Sequence, residues 1–191
     1  MPPITKITRD IILRTGYELV IESGIESVNS RSIAKMMGCS TQPIFSQFAS
    51  MEELKQEIHD FACDMFEKEL LHCSETEDLI YNSYIKVINL AQNKPNIFKL
   101  IFLTEYCRGQ NFINARMGFE SNKKILNYMQ IKFAFNDSES KELYEKISIV
   151  VQGIATIIAS SGIEYSSEQV INIVESSLED FAEGIIRRRK Q

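Results

Sequence analysis

The stretch "GCSTQPIFSQFAS", residues 38–50, gathers short hydrogen-bonding side chains around one proline and two aromatics. Thr41, Gln42, Ser46 and Gln47 offer neutral donors and acceptors, groups suited to base edges and phosphates rather than to proton transfer or nucleophilic attack. Reactive chemistry is sparse elsewhere. No Gly-x-Gly-x-x-Gly, Walker loop, His-Glu-x-x-His or Gly-x-Ser-x-Gly occurs, and the 2 histidines leave little for acid–base work, so no enzyme activity is expected. His59 and Cys63 stand on one face of a helix, but two ligands do not make a zinc site. No metal or cofactor is expected. The four cysteines (Cys39, Cys63, Cys73, Cys107) lack Cys-x-x-Cys spacing and read as free thiols.

Those side chains need a scaffold that is almost wholly helical. Period-two alternation is absent, and apolar residues recur at steps of three and four along the 191 residues. The pattern predicts about nine helices: 8–23 capped by Thr8, 30–37 capped by Asn29, a short one capped by Ser40 and closed by Phe48, and one opening at 51. Five follow at 78–93, 95–106, 111–133, 139–161 and 167–189. Gly24 and Gly38 sit where a left-handed residue ends a helix. Ser50 with Glu53 reads as a capping box. No apolar run approaches the roughly 20 residues that span a bilayer, and "MPPITKITRD" lacks the apolar core of a secretion signal, so a cytoplasmic protein without membrane contact is expected. The formal charge of −5 argues against an all-over basic coat but leaves room for a local anion-binding surface.

A nine-residue, half-polar helix is too short to serve as a core element. Two short helices joined by Gly38-Cys39-Ser40 form a helix-turn-helix, whose second helix lies in the major groove. Ile44 and Phe48, one turn apart, meet the core, while Thr41, Gln42, Ser46 and Gln47 remain outside.

The order of these residues resembles the TetR family of bacterial transcription regulators. The resemblance runs from "TRDIILRTGYELVIESGIESV" through "NSRSIAKMMGCSTQPIFSQFASMEEL" and rests on the glycine after helix one, "SRSIA", the Gly-x-Ser turn and the ending "FSQFAS". It implies an all-α protein with a three-helix DNA-binding domain over 1–55 (motif 30–48) and a helical effector-binding and dimerisation domain over 56–191. It also implies that Arg31 reaches DNA and that Thr41, Gln42 and Pro43 form the base-reading turn. Phe45 stands where the family usually has a phosphate-touching tyrosine, and Gln47 where a His or Tyr often does the same. Without a hydroxyl, Phe45 keeps only apolar contact. Met51 replaces a common lysine and leaves Lys55 as the nearer phosphate partner.

Such proteins read two half-sites about 34 to 36 Å apart as dimers. Leu143, Ile147, Val150, Val151, Ile154 and Ile158 on helix 139–161 make an apolar face with small Gly153, Ala155 and Ala159; Val170, Ile173, Val174, Ser177, Leu178, Phe181 and Ile185 on helix 167–189 make another. A homodimer through these two helices is expected. Phe66, Tyr84, Phe98, Phe102, Tyr106, Phe119 and Tyr128, with Gln152 as a polar handle, are candidates to line a pocket for a small hydrophobic or aromatic effector. The expected function is a ligand-released repressor of a palindromic operator; the alternative is a helical small-molecule-binding or interaction protein with a degenerate DNA-binding head.

Overall fold

The computed structural model describes residues 7–72, 79–104, 119–163 and 165–189, and all regular structure among them is helical. Nine α-helices follow in order among these residues: α1 Arg9–Ser23, α2 Ser30–Met37, α3 Gln42–Gln47, α4 Met51–Leu71, α5 Leu79–Asn93, α6 Pro95–Phe102, α7 Glu120–Phe133, α8 Asp137–Ser161 and α9 Ser167–Arg188. The expected all-α class holds. Two compact units divide the chain: Met1–Met65 with Asn96–Tyr106, and Phe66–Pro95 with Cys107–Gln191.

In the first unit the helix starts are fixed by side chains. Thr8 accepts from the Ile11 amide, and Asn29 accepts from the Arg31 and Ser32 amides while the Ser32 hydroxyl accepts from Asn29, so four orphan donors find partners. Gly24 and Gly38 end α1 and α2 at φ of 80° and 65°, conformations that burden any residue with a Cβ. Gly16 has a different task. A Cβ there would lie 2.5 Å from Ile58 Cδ1, so its bare backbone lets α1 pack closely on α4. Ile12, Val20, Ile33, Ile44, Leu54 and Ile58 form the buried centre. Asn96 at the start of α6 donates to the Ile21 carbonyl at 3.1 Å, and Phe98 packs on Phe102 with ring centroids 5.0 Å apart.

In the second unit α8 packs against α5, α7 and α9, burying Ile80, Tyr84, Ile125, Met129, Leu143, Ile147, Val151, Val174 and Leu178. By length and composition α8 is long and apolar enough to cross a membrane, closer to a span than the bare sequence suggested. Its place among three packed neighbours explains the composition: the central helix of a bundle is apolar on most sides.

The α7–α8 turn is built without a glycine. α7 ends at Phe133 as expected, the chain leaves it at Ala134 with a left-handed φ of 52°, and α8 opens at Asp137, two residues before the expected 139. Arg189, just past α9, secures it: its guanidinium binds the Glu139 carboxylate, donates to the Ala134 carbonyl at 2.8 Å and lies 5.1 Å from the Phe135 ring centroid. Arg188 pairs with Glu142.

The hydrogen bonds from Arg189, then that from the Asn136 amide, hold the Glu139 carboxyl at a pKa of about 2. A depressed carboxylate stabilises the fold above its unfolded pKa, and that contribution fades as pH falls through the folded one. Wild type should therefore melt above Glu139→Gln at pH 6, with the gap closing as pH drops from 4.5 towards 2. Thermal melts across this range check it, and a gap independent of pH would contradict the clamp.

Candidate nucleic-acid interface

The α2–α3 turn forms without a side-chain cap on α3. Gly38 donates its amide to the Lys35 carbonyl at 3.2 Å and Cys39 to the Ala34 carbonyl at 3.0 Å, closing α2. Thr41, not Ser40 as expected, occupies the cap position of α3, with helical backbone angles and no side-chain bond to the helix amides. Pro43 in the first turn removes one of the amides that a cap would serve, which lowers the need for one.

What holds α3 is its underside. Ile44 is fully buried and Phe48 nearly so. Gln42, Phe45 and Ser46 are exposed, and their spacing of three and four residues puts them on one face, turned from Ile44 and Phe48. Phe45 is 54% exposed, unusual for a large aromatic ring. Ser46 donates its hydroxyl to the Pro43 carbonyl at 2.7 Å, so towards solvent its oxygen can only accept. Arg31 is exposed in the first turn of α2, whereas Thr41, Pro43, Gln47 and Lys55 are half-buried. Neither Arg31 nor Lys55 makes an ion pair among the described residues.

A residue absent from the sequence-based candidates anchors this surface. The Arg9 guanidinium binds Glu53 at 2.7 Å, binds Glu57 through two nitrogens, donates to the Gln47 carbonyl at the end of α3 and lies 4.0 Å from the Phe48 ring centroid. One planar cation so ties α1, α3 and α4, a geometry that lysine does not reproduce. The hydrogen bond from Arg9, then the Ala49 amide, hold the Glu53 carboxyl below the ordinary range. That amide also corrects the expected capping box: the Ser50 hydroxyl accepts from the Glu53 amide at 3.0 Å, but the Glu53 carboxylate reaches back to Ala49 at 2.6 Å instead of Ser50. The usable signal was Glu53 and Glu57, two carboxylates one helical turn apart, which ask for a shared cation.

The candidate effector residues are scattered between the units. Phe98 and Phe102 lie in the first unit; Phe66, Tyr84, Phe119, Tyr128 and Gln152 lie in the second, and Tyr106 falls outside the described residues. Phe66 and Tyr84 are buried, Phe119 is half-buried. Tyr128 shares a shallow groove with Leu79, Lys124, Asn127 and Ile131, while Gln152 lines a different one on α8 with Ile149, Gly153, Thr156 and Ile157. Tyr84 stands out. Its buried hydroxyl makes no hydrogen bond of normal geometry among the described residues. Burial first, and Tyr144 second, push its pKa well above the ordinary tyrosine value, with the neighbouring Ser148 side chain opposing, so it is a neutral phenol.

The expected dimer faces need correction at residue level. Leu143, Ile147, Val151, Ile154, Ala155 and Ala159 of α8, and Val170, Val174, Leu178 and Ile185 of α9, are buried inside their own chain. The apolar residues left outside are Ile149 and Ile157 on α8 and Ile173 on α9, with Gly153 exposed between the first two. Because α8 is apolar on more than one side, periodicity alone did not tell the inner stripe from the outer.

No family model and no curated protein matches the chain in sequence. In three dimensions it is similar to a solved protein from Vibrio parahaemolyticus named as a TetR family transcriptional regulator, with a TM-score of 0.60 and 16% identity over 90% of this chain and 96% of that one. The likeness is one of fold, extending over nearly the whole of both chains.

The division of α3 into a buried and a presented face has a direct test. Ile44→Ala should lower stability by about 2–5 kcal/mol, as large-to-small core changes do. Phe45→Ala should stay within about 0.5 kcal/mol, as surface changes do. Urea unfolding of both variants decides, and equal losses would mean that Phe45 also packs.

Proposed function

We propose that this chain is a DNA-binding transcriptional regulator, a repressor that binds a palindromic operator as a homodimer and leaves it when a small hydrophobic effector binds. The observation that carries the reading is the presented face of α3: Gln42, Phe45 and Ser46 project to solvent from a helix whose opposite side is fixed by Ile44, Phe48 and Arg9. A helix so arranged suits a major groove, which accepts its first turns at base edges. Gln42 has the donor and acceptor pair that matches adenine, and Arg31 and Lys55 are cations available to phosphates.

Residues 1–55 form the DNA-binding head in this reading, and 56–191 the effector-binding and dimerisation part. The second copy docks through α8 and α9, where Ile149, Ile157 and Ile173 are exposed. Tyr84 supports the effector: a buried hydroxyl without a hydrogen bond of normal geometry is a polar handle that a ligand acceptor would engage. By binding one conformation better, the effector lowers operator affinity. No catalytic step is assigned to the chain. A second reading, a helical ligand carrier with a degenerate head, draws on the net charge of −5 and on phenylalanine and methionine at positions 45 and 51.

Mobility-shift titrations on an operator selected from random DNA separate the two. Operator binding should weaken with rising salt along a negative log–log slope. Arg31→Ala should flatten that slope by about 1, and Gln42→Ala should cost roughly 1–3 kcal/mol with relaxed preference at one base pair. Wild-type affinity in both variants would remove Arg31 and Gln42 from the interface, and salt-independent retention would favour the carrier. Light scattering should find a dimer at micromolar concentration that Ile157→Asp splits; a monomeric wild type would exclude the twofold operator.

A further inference from the structure

Phe45 is the one large apolar side chain on the presented face of α3, more than half exposed between Gln42 and Ser46. Ile44 and Phe48 already occupy the underside, and Arg9 stacks on Phe48, not on Phe45. The ring carries no donor, so phosphate contact is closed to it. In a major groove, the apolar feature that base pairs display is the C5 methyl group of thymine, and phenylalanine is among the side chains that meet it.

Resting on the DNA-binding reading, we propose that Phe45 is a specificity-determining residue that selects thymine in each operator half-site by packing against its methyl group. Gln42 lies three residues before Phe45 and Ser46 one after, so the ring is flanked by groups that read polar edges. Ser46 sharpens the division of labour. With its proton given to the Pro43 carbonyl, it accepts from base amino groups, leaving the methyl to Phe45. The face then reads one apolar mark among polar ones.

The test uses the full-length dimer and the selected operator, with each thymine replaced singly by deoxyuridine, which removes the methyl and nothing else. One position per half-site should lose roughly fourfold in affinity, the worth of one buried methyl at about 0.8 kcal/mol. The loss should be the same at low and high salt, because no counterion is released, and it should vanish in Phe45→Ala and persist in Phe45→Leu. Uridine substitution without effect at every position, or a loss that survives in Phe45→Ala, overturns the assignment while leaving DNA binding intact. Failure of the wild type to retain any DNA overturns the underlying reading instead.

Discussion

The Arg9 guanidinium is the contact on which the presented surface depends. Six residues are too few for a helix to persist in water, since nucleation fixes several torsions for each hydrogen bond gained. α3 therefore exists by attachment: Ile44 and Phe48 bury its underside, and Arg9 takes the carbonyl of Gln47 that the helix end leaves without an amide. The two carboxylates on α4 hold the cation in place. Their side chains are about one-third exposed, so the charge attraction is modest, and the planar fork that joins three helices contributes orientation more than strength.

That attachment frees the other side of the helix from any part in folding. Gln42, Phe45 and Ser46 can vary without disturbing the core, which is how one scaffold presents different chemistries to different partners. The same separation recurs in the second unit. The inner stripe of α8 meets α5, α7 and α9, and the apolar residues left over, Ile149 and Ile157, take no part in that packing.

Legibility in the sequence followed the range of the interaction. Caps at Thr8 and Asn29, the glycines that end α1 and α2, and the burial of Ile44 and Phe48 depend on neighbours within a few residues, and spacing alone revealed them. The error at Ser40 is also local: a good cap residue stood one position before the place where Pro43 made a cap dispensable. Arg9 reaches partners 38 to 48 residues away, and no pattern in its own helix marks it. The outer stripe of α8 was hidden by composition, since a central helix is apolar in several directions. Tyr84 read as one aromatic among many, because only packing reveals that its hydroxyl is buried without a hydrogen bond of normal geometry.

The central claim is that the α3 face meets DNA bases while α3 itself stays fixed to α1 and α4. Backbone amide shifts followed by NMR during titration with operator DNA test both halves at once. Large shifts at residues 41–47, with the Arg9 side-chain signals unchanged, are the predicted result. Shifts confined to α8 and α9, or loss of the Arg9 contacts on binding, would contradict it.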